Sequence, residues 1–223
     1  MRWDFIAEIL PKLFRASILT LELTVAGISI GIVIGLITSL MRISGIKIFS
    51  AAAKVYVDFF RGTPLLVQIA IIHYALPVIF HYVPVAIVSG VIALGINSGA
   101  YVAEIFRAGI QSIDKGQMEA ARSLGMTWGQ AMRYIILPQA FKVSIPPLGN
   151  EFIALLKDSS LVSIIAVEEL MTTGRLIMGK TPLVAEIWFS VAMLYLIMTS
   201  TIAVFVNYVE RRLQIGDSSQ RSI

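Results

Sequence analysis

Three stretches of this chain carry no Asp, Glu, Lys or Arg: Leu23 to Met41, Gly62 to Ala103 and Ile187 to Val209. A bilayer core about 30 Å thick takes about 20 apolar helical residues to cross, so each stretch holds one crossing and the middle one has room for two. In lipid every backbone polar group must be satisfied internally, which makes helices the spanning form for runs this apolar. With 57% hydrophobic and 14% charged residues among 223, and a mean hydropathy of +0.82, no stretch is left for a separate soluble domain.

In chain order, residues 1–15 mix Trp3, Phe5, Ile6, Ile9 and Leu13 with charges, which predicts a short amphipathic helix at the interface. Asp4 and Glu8 stand where the basic region of a cleavable signal peptide would be. The first span is Leu23 to Met41, with Gly27, Gly31 and Gly35 on one stripe for close helix packing. A second span is expected over roughly Ala52 to Phe80 and a third over roughly Val85 to Phe106. Pro77, His81, Tyr82 and Pro84 supply the break between them. A fourth, from about Pro147 to Val167, is interrupted by Glu151, Lys157 and Asp158, and the last is Ile187 to Val209. The expected fold is all-α, a polytopic membrane protein of five transmembrane helices forming one domain over residues 1–223.

Five crossings put the termini on opposite sides. Arg42, Lys47, Lys54, Arg61, Arg107, Lys115, Arg122, Arg133, Lys142, Arg211, Arg212 and Arg221 fall on one side, and Arg2, Lys12, Arg15, Arg175 and Lys180 on the other. The positive-inside rule then predicts a cytoplasmic C-terminus and an N-terminus outside. The same rule accounts for the net charge of +4 without any nucleic acid partner.

Gln111 to Pro146 is the one long segment suited to water. Asp114 with Gln117, and Thr127 with Gln130, have capping-box spacing, and Gly125 stands where a left-handed helix end is wanted. Two short helices are predicted, the second ending at Pro138 and bearing Trp128, Met132, Ile135 and Ile136 on one face. The small residues Ala120, Ala121 and Gly125 beside Glu119 and Arg122 fit a shallow docking surface; they fit a solvated connection between spans equally well.

Ionisable groups at membrane depth are costly and mark function by default. Asn97, Ser98 and Tyr101 on the third span are candidates for ligand contact, as are Glu151 and Asp158 on the fourth, while Lys157 reads as a packing partner for a carboxylate. Glu104 and Arg107 have the spacing of an i,i+3 ion pair. His73 and His81 are isolated and read as packing or interfacial residues. Gly174 to Thr181, GRLIMGKT, matches the phosphate-loop pattern literally. It lacks a preceding strand, has Pro182 next and falls on the outer side, so the match is coincidental and no ATP site is expected. With no Cys, no metal-ligand spacing and no nucleophile–base pair, an intramembrane enzyme has nothing to work with, and no cofactor is expected.

The run Glu119-Ala120-Ala121, then Gly125, then Ile136-Leu137-Pro138 resembles the EAA loop of membrane subunits of bacterial ABC importers. Arg61-Gly62-Thr63-Pro64-Leu65-Leu66-Val67-Gln68, Asn97 to Arg107 and Leu156-Lys157-Asp158-Ser159-Ser160-Leu161 look like permeases for polar amino acids, in the same order and over nearly the whole chain. The resemblance implies a permease subunit in the bacterial cytoplasmic membrane, in contact with lipid. Its expected partners are a second permease subunit, two ATPase subunits that bind the ATP, and an extracytoplasmic amino-acid-binding protein. It also implies that Glu119, Ala120, Ala121, Arg122, Gly125 and Met126 dock the ATPase, and that transport proceeds by alternating access. Two carboxylates against one lysine on the fourth span favour basic amino acids, with glutamine or another polar amino acid as the alternative. An ion-coupled carrier or channel would need no docking hairpin and commonly shows internal repeats, absent here.

Overall fold

The computed structural model describes the backbone of residues 1–218 and the side chains of residues 1–212. Arg221, counted above among the cytoplasmic cations, lies outside the described residues. The described residues contain helices and no strand: α1 (Trp3–Ile43), α2 (Lys47–Gly62), α3 (Leu65–Ala70), α4 (Leu76–Phe80), α5 (Ala86–Gln111), α6 (Lys115–Ser123), α7 (Trp128–Ala131), α8 (Leu137–Asp158), α9 (Leu170–Met178) and α10 (Val184–Ser218). Three of them, α1, α5 and α10, are individually long and apolar enough to cross a membrane, and α2 with α3–α4 form a further, sharply bent pair.

Helix α1 corrects the first expectation. It is one 41-residue helix, about 61 Å long at 1.5 Å per residue, and the predicted interfacial helix is simply its N-terminal part. Pro11 does not interrupt it, because an apolar stripe continues across the proline. Ile9, Leu13 and Ala16 are buried against Leu170, Ile187 and Val191 of α9 and α10, and the Ser17, Thr20 and Thr24 hydroxyls bond back to carbonyls one turn earlier. The glycine stripe behaves as expected and forms the seam with α5. A Cβ on Gly35 would stand 2.5 Å from Val102 Cγ1 and 2.9 Å from the Ala103 amide nitrogen, and one on Gly31 would stand 3.0 Å from Ser98 Oγ. From the α5 side, Gly95 and Gly99 receive Ile30 and Ile34.

The second span also departs from a straight helix. Residues 47–62 and 65–80 are bent by 104° at the Gly62-Thr63-Pro64 junction. Thr63 is extended, as a residue before proline prefers, and Pro64 has no N–H to offer the Phe60 carbonyl one turn back. Downstream, Pro77 is absorbed by a π-helical turn at Ile71–Ala75, and the helix stops at His81, which is left-handed at φ 53°.

The predicted stop at Pro138 is likewise corrected. A π-helical turn at Met132–Ile136, with the Leu137 N–H donating to the Met132 carbonyl, carries the chain through the proline. The second hairpin helix therefore runs on into α8, which ends at Asp158 and passes through a 3₁₀ segment (Ser159–Ile165) to a left-handed Ala166. The helix expected to make the fourth crossing thus begins well before Pro147. At the far end from the hairpin, Glu169 is fully buried as the N-cap of α9, accepting from the Met171 and Thr172 amides at 2.8 Å each and from the Tyr195 hydroxyl at 3.1 Å. GRLIMGKT lies mostly within α9, where Gly174 packs on Val191; it forms no phosphate-cradling loop.

Candidate functional site

The hairpin is built by local chemistry. Asp114 caps α6 by accepting from the Gly116 amide, while Gln117 faces Gln139 and makes no capping box. The α6 C-terminus closes as a Schellman turn: Met126 N–H donates to the Ala121 carbonyl and Gly125 N–H to that of Arg122, with Gly125 at φ 85°. The Thr127–Gln130 capping box then starts α7. Glu119, Ala120, Arg122 and Gly125 are exposed, Met126 is half-buried, and Ala121 is buried within the hairpin base. Leu124, absent from the sequence-based candidates, is 85% exposed at the tip. Met132 and Ile136 pack with Ile110 and Ala140 into a small core that fastens the hairpin to α5 and α8, whereas Trp128 of the predicted apolar face stays exposed.

Between α2, α5 and α8 runs a cavity of about 680 Å³, lined by Arg61, Tyr101 and Glu151 at one end and by Glu104, Arg107 and Ser112 towards the hairpin. That volume is ordinary for a small-molecule site. Glu151 sits on α8 and accepts from the buried Ser98 hydroxyl at 2.8 Å. Glu104 is held by Arg42 at 3.1 Å and Arg107 at 2.7 Å, so the expected i,i+3 pair becomes a three-residue cluster tying α1 to α5. Arg61 is different. Its guanidinium lies 5.3 Å from the centre of the Tyr101 ring and, among the described residues, has no carboxylate within 4 Å.

Glu151, Ser98 and Tyr101 thus come together on one wall system, and Arg61 joins them. Asn97 goes elsewhere: one residue before Ser98 is a 100° rotation of the helix, and its Nδ2 donates to Gln68 Oε1 at 2.9 Å and to the Phe60 carbonyl at 3.3 Å. Asp158 lies two turns beyond Glu151 on the same stripe of α8, exposed and outside the cavity lining. Among the described residues, Lys157 has no carboxylate within 4 Å. It lines a separate recess with Trp188 and Tyr195, because consecutive helical residues face different sides. Arg61 and Gln68 stand in the sequence as the two ends of the first permease-like motif, with Arg61 also among the flanking charges, but neither is among the sequence-based site candidates. The available signal was position, since both stand beside the helix-breaking Gly62-Thr63-Pro64.

Residues 5–215 match the model of the binding-protein-dependent transport system inner membrane components. The chain belongs to this family. It is an integral membrane protein of the permease type, and family members work with separate ATPase subunits and binding proteins. The glutamine transport system permease protein GlnP of Escherichia coli (strain K12) is 39% identical over 96% of this chain and 98% of its own length. The arginine transport system permease protein ArtQ of Bacillus subtilis (strain 168) is 36% identical over 97% of this chain and 100% of its own. A crystal structure of an amino acid ABC transporter with histidines superimposes with a TM-score of 0.89 at 43% identity, covering 95% of this chain and 99% of that one.

Proposed function

We propose that this chain is the permease subunit of an ATP-driven importer of amino acids, and that the Arg61–Glu151 end of the cavity is its substrate site. The observation that carries the reading is the pair of charges left without an ionic partner there, one of each sign. An amino acid brings an α-carboxylate and an α-ammonium. Arg61 offers a planar fork of donors for the first, and Glu151, oriented by Ser98, offers an acceptor for the second. Glu104 is already saturated by two arginines. The cavity therefore holds no second free carboxylate for a cationic side chain, and uncharged polar amino acids such as glutamine fit it best.

A second reading keeps the basic amino acids first expected. Asp158, exposed on the same face of α8 about 10 Å further along, would receive a long cationic side chain whose α-ammonium sits at Glu151. The choice is settled by equilibrium binding of radiolabelled glutamine and arginine to the purified permease–ATPase complex, with Glu151→Gln and Asp158→Asn alongside. Glutamine binding lost only in Glu151→Gln supports the first reading. Arginine binding lost in both variants supports the second, and binding indifferent to Glu151→Gln removes the site from this end of the cavity.

The assembly proposed around the site has five crossings in a bacterial cytoplasmic membrane, the N-terminus outside and the hairpin in the cytoplasm. A second permease subunit, two ATPases and an extracytoplasmic binding protein complete it. ATP, bound by the partner subunits, supplies the energy. In support, α7 and α8 form one helical path from the hairpin to Glu151, so a hairpin moved by the ATPases moves a wall of the cavity. Hairpin position and cavity orientation are then two readouts of one equilibrium.

A further inference from the structure

We infer that Gln68 and Asn97 are positioning residues for Arg61: together they lock the corner between α2 and α3 and so hold the guanidinium over Tyr101, in the cavity. The inference rests on the proposal that Arg61 receives the substrate α-carboxylate.

The corner creates a specific deficit. Pro64 removes the N–H that the Phe60 carbonyl would have bonded. The Val67 and Gln68 amides both donate to the Pro64 carbonyl, which leaves the Thr63 carbonyl outside the ladder. One side-chain amide repairs both ends of the break. Gln68 Nε2 donates to the Phe60 carbonyl at 2.9 Å, to the Thr63 carbonyl at 3.0 Å and to Thr63 Oγ1 at 2.9 Å. Those acceptors dictate the orientation of the amide, so Gln68 Oε1 must face away, and Asn97 Nδ2 meets it at 2.9 Å. Asn97 Nδ2 also reaches the Phe60 carbonyl at 3.3 Å. Gln68 and Asn97 are 3% and 5% exposed, so these bonds have no water to replace them.

Phe60 is the residue before Arg61. Fixing its carbonyl from two sides fixes the last turn of α2 against α5, and with it the direction in which Arg61 leaves the backbone. Without the clamp, the carbonyls of the half-buried Phe60 and Thr63 lose their side-chain donors. The corner then relaxes towards water, and the guanidinium loses its registration on Tyr101 and opposite Glu151.

The test measures recognition of the α-carboxylate itself. L-Glutamine and L-arginine are each compared with their α-carboxamides as competitors for binding to the purified permease–ATPase complex, in the intact protein and in Arg61→Gln, Gln68→Met and Asn97→Ala. The intact protein should prefer the carboxylate over the amide by about tenfold or more, and Arg61→Gln should bring that ratio close to one. Gln68→Met and Asn97→Ala should also compress the ratio, and neither should compress it further when combined with Arg61→Gln. Arg61→Gln with its preference intact would overturn the site and the positioning role together. Loss of preference in Arg61→Gln alone, with Gln68→Met and Asn97→Ala retaining it, overturns the positioning role and leaves the site standing. Should Gln68→Met fail to assemble, Asn97→Ala decides, because it removes one donor and leaves the Gln68 bonds to the corner in place.

Discussion

At the scale of single residues, Arg61 and Glu151 derive their interest from what they lack. Every other charged side chain on the cavity wall is paired: Glu104 with Arg42 and Arg107, and Arg107 in turn with Gln111 at 2.7 Å. Glu151 is half-buried and keeps part of its desolvation cost until a ligand offsets it, while Arg61 is exposed and free to meet an anion. Replacing Arg61 by Gln is therefore expected to weaken substrate binding by roughly 10- to 150-fold, the range for losing a charged hydrogen bond, as read by equilibrium binding. Arg61→Lys should recover only part of this, since an ammonium cannot reproduce the bidentate fork. A second residue-scale effect concerns space. Gly35→Ala puts a methyl against both Val102 and the Ala103 backbone, with no flexible side-chain end to give way. A loss of about 1–3 kcal/mol is expected, visible as a lower thermal midpoint of the purified complex.

At the scale of elements, the turn at Gly125 and the continuous helix after it matter most. Gly125 occupies left-handed space at φ 85°, where proline cannot go, and its N–H closes the α6 terminus. Gly125→Pro is expected to break the hairpin while leaving the spans intact. Glu119→Lys should act on the exposed face without disturbing the fold. Both should uncouple ATP hydrolysis from uptake in reconstituted vesicles at unchanged membrane insertion; normal uptake in both would remove the hairpin from the coupling path. The capping residues Asp114, Gly125 and Thr127 were legible in the sequence because each cap is a contract between residues two to five apart, although the Asp114–Gln117 box does not form. The π-helical turn at Met132–Ile136 was not. A proline ordinarily ends a helix, and whether a wider turn absorbs it depends on what holds the helix on both sides, here Ile110 and Ala140 packing around Met132 and Ile136.

At the scale of the molecule, the described residues form three apolar cores along the bundle. One joins the start of α1 to α9 and α10, one fills the centre around α1, α3, α5 and α8, and one sits at the hairpin base. The central core and its glycine seam hold α1 against α5, and the cavity opens where α2 and α8 meet α5. The asymmetry of Lys and Arg sets the expected orientation. A reporter active only in the cytoplasm should score when fused after the hairpin-side end of α10 and remain silent at the N-terminus, with the reverse pattern contradicting the assigned sidedness.

Composition and charge spacing by themselves determined that this chain is a helical membrane protein, where its apolar runs fall and where its polar hairpin begins. Three motifs in order pointed to the transporter class. These are short-range properties: burial of a run, satisfaction of a helix end, and a φ that only glycine adopts readily. Only the tertiary structure decided which polar residues share a site. Ser98 and Asn97 are neighbours in sequence, yet one orients Glu151 and the other secures a corner 37 residues away at Phe60. Arg61 comes to the wall of Glu151 through a 104° bend that no periodicity announces. The physical reason is that helix rotation and crossing geometry, set by glycine seams and distant hydrogen bonds, choose the direction of each side chain; Gly62-Thr63-Pro64 marks a break beside Arg61, but not which wall the guanidinium meets.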